Sequence, residues 1–141
     1  MPGVDRFEDL ISWQRMHDLN IEVWRATETR RASRDFDFKN EIRDAVDSAE
    51  RNIAEGFGRF TPPQFANFLD VSRASALEAR TLLRKGLEVG YWKQADFERL
   101  DSLAIRGLQA VAKLQRYLRS PVAKRNAQCR YRRNDSNDPN D

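Results

Sequence analysis

A chain of 141 residues, 40% hydrophobic and 33% charged, has room for one domain with one core. No run approaches the ~18 consecutive apolar residues of a membrane span, and "MPGVDRFEDL" holds no apolar stretch of leader length, so neither a span nor a leader is expected. The single cysteine, Cys129, excludes an internal disulfide and a cysteine-built metal cage, and a cytoplasmic location is the natural expectation. Net charge is +3, unevenly spread: residues 1–120 carry 20 basic and 19 acidic side chains, while "KRNAQCRYRRN" at 124–134 carries five basic and no acidic ones. The basic excess therefore reads as a property of the C-terminal tail.

The first element runs from Arg6 to about Arg30. Leu10, Trp13, His17, Ile21 and Trp24 form one helical stripe, and Met16, Leu19 and Val23 widen it to an arc of about 200°. That arc is broader than a surface helix of a monomer needs, so one flank, at Trp13 and Trp24, is a candidate subunit interface. Ser33, Asp35 and Asp37 are candidate N-caps for a second helix with Ile42, Val46, Ala49, Ile53 and Phe57 on one side.

"NIAEGFGRFTPP" follows, and its glycines and prolines have a structural explanation. Gly56 or Gly58 can close a helix in the left-handed conformation; Thr61, Pro62 and Gln64 open the next as N-cap, first helical residue and capping-box partner. The third helix runs to about Val89. On it Phe65, Phe68, Leu69, Leu83 and Leu87 bracket the small residues Ser72, Ser75, Ala76 and Ala79; Gly86 allows a close approach and Gly90 is the C-cap. A fourth, weakly started near Gln94, carries Phe97, Leu100, Ala104, Leu108, Val111, Leu114 and Leu118 and stops at Ser120-Pro121. The expected fold is all-α, an antiparallel up-down four-helix bundle over residues 1–120. The polar, arginine-rich stretch at 121–141 is expected to be disordered.

Catalytic chemistry finds little footing. "GFGRFT" lacks the third glycine of a dinucleotide fingerprint and the Gly-Lys-Ser/Thr of a phosphate loop. The only histidine, His17, has Gln14 where a di-metal bundle would place glutamate, and it reads as a hydrogen-bonded interior residue. No cofactor, metal or enzymatic activity is expected. Two polar stripes flank the apolar faces: Glu41, Ser48, Asn52 and Glu55 on the second helix, and Arg73, Arg80 and Arg84 within about 40° on the third. Such stripes make ion pairs between helices or subunits, or, repeated by symmetry, follow a nucleic-acid backbone.

Phe7, Leu10, Trp13 and Gln14, then "IRDAVDSAERNIAEGFGR" and "FANFLDVSRASALEARTLL", resemble the small bacterial four-helix-bundle proteins first noted in intervening sequences of 23S ribosomal RNA genes. The superfamily that this resemblance implies also contains the accessory protein of diversity-generating retroelements. The positions that match the motif are Arg43, Ser48, Asn52, Glu55, Gly56, Arg59, Ser75 and Glu78, while "SAERN" stands where such proteins usually have a proline. The resemblance implies a ring-like homo-oligomer, commonly a pentamer, with no catalysis. It also implies, through the retroelement relatives, partners that include nucleic acid and a reverse transcriptase. The expected activity is RNA or DNA binding through Arg59, Arg73, Arg80 and Arg84, assisted by Arg125, Arg130, Arg132 and Arg133 in the tail. The alternative is a protein-interaction scaffold whose arginines only form ion pairs.

Overall fold

The computed structural model describes residues 4–29, 31–59 and 61–127. Four long helices dominate it: α1 Ile11–Ala26, α2 Phe36–Phe57, α3 Pro62–Glu88 and α4 Gln94–Leu118. Single 3-10 turns at Phe7–Asp9 and Ala32–Arg34 precede α1 and α2, and no strand occurs among the described residues. Helix α1 packs on α2 and α4, and α3 packs on α2 and α4, around one core that includes Met16, Leu19, Ile42, Ile53, Leu69, Leu83, Leu100 and Val111. Partners run in opposite order along neighbouring helices. On α2 and α3, Ala49 meets Ser72 while Gly56 meets Phe65; on α3 and α4, Asp70 meets Gln115 while Arg80 meets Asp101.

The helix ends follow local chemistry. The Asp35 carboxylate accepts the Phe38 N–H at 3.1 Å and caps α2, and Thr61 Oγ1 accepts the Gln64 N–H at 3.3 Å with Pro62 at the first helical position of α3. Beyond α3, Gly90 takes φ +84°, which lets the Tyr91 N–H bond to Gly86 O at 2.8 Å and the Gly90 N–H to Leu87 O at 3.2 Å, a Schellman closure. The expectation that Gly56 or Gly58 is left-handed is overturned: Gly90 alone among the described residues has positive φ. Gly58 ends α2 in right-handed geometry at φ −75°, and Gly56 is buried inside the helix, where a β-carbon would stand 2.6 Å from Phe65 Cδ2 and 2.8 Å from Phe68 Cβ. Its function is close approach of α3, not a turn.

Helix α1 is shorter than expected, and its core face lies elsewhere on the arc. Met16, Leu19 and Val23 are fully buried, whereas Ile21 is 38% and Trp24 40% exposed. His17 and Trp24 of the Leu10–Trp24 stripe lie on the flank toward α2, where they meet Glu50 and Asp47. Residues 121–127, placed in a structureless tail, are helical, with Ala123 buried and Asn126 Nδ2 donating to Tyr117 Oη at 3.2 Å. Residues 128–141 lie outside the described ones.

The Tyr91 hydroxyl donates to Asp35, tying the connector after α3 to the start of α2. That bond, followed by the Phe38 amide, holds the Asp35 carboxyl below its ordinary 3.8, and it raises Tyr91 above its ordinary 10.0. A lowered carboxyl contributes stability that is complete above its unfolded value and fades as pH falls through the folded one. A raised phenol contributes stability that is complete below about pH 10 and is lost as pH climbs through its folded value. Tyr91→Phe should therefore have a lower urea midpoint than the natural chain at neutral pH, with the gap narrowing in acid below the ordinary Asp value and again in alkali. A gap that stays constant across both ranges would show that the bond contributes no linkage.

Candidate nucleic-acid interface

The arginines singled out in the sequence divide into tied and untied. The Arg80 fork closes on the Asp101 carboxylate of α4, with Nε at 2.7 Å and Nη2 at 3.1 Å, and the same bond raises its pKa. Arg84 lies over the Phe97 ring at 5.1 Å and Arg59 over the Phe68 ring at 4.5 Å. Arg73 and Arg125 are exposed and have no ion pair among the described residues. Arg130, Arg132 and Arg133 fall outside those residues. The α3 stripe thus contributes one uncommitted cation, and its other members hold α4 in place.

A cationic face does exist, on α4. After Asp101 no carboxylate occurs until Asp135, and nine basic residues stand between them; residues 1–101 carry 16 basic against 19 acidic side chains. The sequence reading missed this by dividing the chain at residue 120, where the structure shows no break in charge. Ser102, Arg106, Gln109, Lys113 and Arg116 are all exposed, and at 100° per residue the three cations fall within about 80° of arc. Arg106, Lys113 and Arg116 have no ion pair among the described residues. Arg119 is partly neutralised by Asp70, its Nη2 lying 3.1 Å from Oδ2, and Lys124 and Arg125 extend the exposed positive edge.

On α2 the exposed charge has the opposite sign. Glu41, Asp44, Asp47 and Glu78, with Arg51 as the single cation, line a groove of ≈ 460 Å³ between the outer side of α2 and the middle of α3. Of the motif positions, Ser48, Ser75 and Glu78 line it and Asn52 bonds to Ser48 beside it. Ser48 Oγ meets Ser75 Oγ at 2.7 Å, Asn52 Nδ2 donates to Ser48 O at 2.8 Å, and Ser72 Oγ donates to Ala49 O at 2.6 Å. These bonds satisfy polar groups at a seam where small side chains bring two helices together. Glu55 pairs with Arg51 at 3.6 Å.

Arg43, with its side chain only 11% exposed, closes the C-terminal end of α1. Its Nε donates to Thr27 Oγ1 at 2.9 Å and its Nη2 to Trp24 O at 3.3 Å and to Glu28, while the guanidinium covers the Trp24 ring at 4.0 Å. Trp24 also donates from Nε1 to Asp47 at 3.3 Å. Trp13 is half-buried, edge-on to Phe7 at 5.3 Å and stacked on His17 at 4.7 Å. His17 is hydrogen-bonded as expected, its Nδ1 3.0 Å from Glu50 Oε1, but it sits at the α1–α2 boundary with its side chain 41% exposed rather than in the interior. The other Glu50 oxygen accepts from Asn20 Nδ2 at 2.6 Å, so both are committed. No group of three or more His, Cys, Asp or Glu among the described residues could hold a metal, and no described helix is long and apolar enough to cross a membrane.

These features define a small all-α protein with a polar α2–α3 seam, one acidic groove and one cationic edge. The chain belongs to the 23S rRNA-intervening sequence protein family, whose model matches residues 8–112. That span takes in the seam, the groove and Arg106, and ends before Lys113 and Arg116. No curated protein matches the sequence.

Proposed function

We propose that the protein is a non-enzymatic, cytoplasmic, antiparallel up-down four-helix bundle that assembles as a ring-like homo-oligomer and binds RNA or DNA through the outer face of α4. The observation that carries the binding is the carboxylate-free stretch from residue 102 to 134, with Arg106, Lys113 and Arg116 exposed on one face and without an ion pair among the described residues. A cation without an internal partner remains available to displace counterions from phosphate, and copies of the face in an oligomer add their fields. Assembly is supported by Ile21 and Trp24, exposed one turn apart on α1, and a ring of five is the arrangement in keeping with the resemblance. A reverse transcriptase is a further candidate partner on the same footing. The rival reading, a protein-interaction scaffold, draws support from the acidic groove and from Arg80, whose charge is spent on Asp101.

A salt titration of a generic RNA hairpin and a DNA duplex separates the two. Binding through phosphate predicts log K falling linearly with log salt, at about 0.9 per duplex phosphate contacted. Arg106→Glu with Arg116→Glu should weaken binding by more than about tenfold and lower the slope by about 2. Absence of binding by the full chain at low salt leaves the scaffold reading standing; an undiminished double variant moves the contact from α4 to the arginines of the tail. For assembly, Trp24→Glu should shift the sedimenting species toward the single chain, and an unchanged oligomer would place the interface away from that flank.

A further inference from the structure

A second concave surface, remote in character from the charged ones, lies between the start of α1 and the C-terminal half of α4. Val4, Leu10, Ile11, Ala110, Leu114 and Tyr117 form its apolar walls, and its volume is ≈ 550 Å³, within the range of small-molecule sites. Ile11 is 60% exposed there, a large aliphatic side chain left facing solvent at the first helical position.

Three polar features converge on this trough. Ser12 lines it and is 3% exposed, yet its Oγ has no hydrogen-bond partner among the described residues. Thr27 and Thr81 donate to the carbonyl four residues back, and the corresponding carbonyl for Ser12, that of Glu8, already accepts from Gln14 Nε2 at 2.9 Å. A buried hydroxyl left unpaired costs free energy that a bound acceptor would recover. Helix α1 also begins here with Leu10 at the N-cap, which supplies no side-chain bond, so its first amides and the positive end of its dipole are open. Lys113 stands on the opposite wall with no ion pair among the described residues.

We propose that this trough binds an amphipathic carboxylate, a hydrocarbon chain ending in a carboxyl group, with the carboxylate at the α1 N-terminus. The apolar walls take the chain; Ser12, the helix end and Lys113 take the head. The positive helix end and the ammonium select an anion over an alcohol or an amine. Asp9, exposed on the same rim, is the one opposing charge and weakens the site. This inference does not require nucleic-acid binding, although Lys113 belongs to both surfaces.

The test uses the full chain with decanoate, decanol and decyltrimethylammonium below their micelle concentrations, followed by calorimetry and amide-resolved NMR. Decanoate should bind at one equivalent per chain and shift the amides of Ile11, Ser12, Ala110 and Leu114. Decanol should bind about tenfold more weakly and the ammonium amphiphile not at all. Lys113→Gln should weaken decanoate about fivefold, Asp9→Asn should tighten it, and Ala110→Trp, which fills the trough, should abolish it. Decanol binding as tightly as decanoate, or shifts mapping to other residues, overturns the proposal, and the wild-type map decides this even if Ala110→Trp fails to fold. A folded Ala110→Trp chain that sediments as a smaller species also overturns it, because the trough would then be covered by a second copy.

Discussion

Replacing Gly86 by alanine is expected to lower the stability of the chain by about 2 kcal/mol, although helix propensity alone favours alanine by ~1 kcal/mol. The added β-carbon would stand 2.2 Å from Trp92 Cζ2, 2.5 Å from Cε2 and 2.8 Å from Cη2. The indole has no room to retreat. It is 8% exposed, tilted against Phe38 at 5.7 Å, and its Nε1 donates to Leu83 O at 2.9 Å, so moving it breaks a buried hydrogen bond. Overpacking of this kind costs roughly 1–3 kcal/mol before the bond is counted. Gly107→Ala is the matched comparison. Its β-carbon would meet Met16 Sδ at 2.6 Å and Cε at 2.9 Å, the far end of a flexible chain that can turn aside, so the result should lie within about 1 kcal/mol of neutral. Thermal melts of the two variants check this. In a Trp92→Phe background the Gly86→Ala loss should shrink, since the smaller ring leaves space. A Gly86→Ala chain as stable as the natural one would show that the helices adjust more easily than this packing allows.

Arg43→Ala should cost about 2–3 kcal/mol, and Arg43→Lys should recover less than half of it. The guanidinium joins two helices by several contacts at once: the buried Thr27 hydroxyl, the Trp24 carbonyl, the Glu28 carboxylate and the face of the Trp24 ring. It also places a cation at the negative end of the α1 dipole. Removing it leaves the Thr27 oxygen without its donor in a site that is 0% exposed, while Thr27 keeps its own bonds to Val23 O and Trp24 O. Lysine restores the charge but not the planar fork that reaches hydroxyl, carbonyl and ring together. Urea midpoints for the three chains decide the matter, and full rescue by lysine would reduce the role of Arg43 to charge alone. Arg43→Ala should also uncover Trp24, so its sedimentation should change if that flank is a subunit contact.

The candidate site was only partly legible. Arg73, Arg80 and Arg84 all lie on α3, but periodicity gives no information about what the neighbouring helix presents. Asp101 of α4 claims Arg80 and Phe97 claims Arg84, and only Arg73 is left uncommitted. The α4 face could have been found from the sequence: the signal was the missing carboxylates between Asp101 and Asp135, hidden by dividing the charges at a Ser-Pro pair instead of at the change of sign. The motif glycine was misassigned for a related reason. Gly56 and Gly58 look alike in sequence, and only the approach of Phe65 and Phe68 makes the first a packing position and the second the end of a helix.

What the sequence determined by itself was local. The existence of the four long helices follows from 3.6-residue periodicity, and several of their ends follow from side chains acting within a turn: Asp35 and Thr61 at N-caps, Pro62 in the first turn, Gly90 after the last. Tertiary structure alone decided which part of the broad apolar arc of α1 faces inward, setting Met16, Leu19 and Val23 in the core and leaving Ile21 and Trp24 outside. An arc of about 200° satisfies helical amphipathicity at several orientations. The choice among them is made by close packing against α2 and α4, an interaction between residues far apart in the chain, which no local pattern encodes.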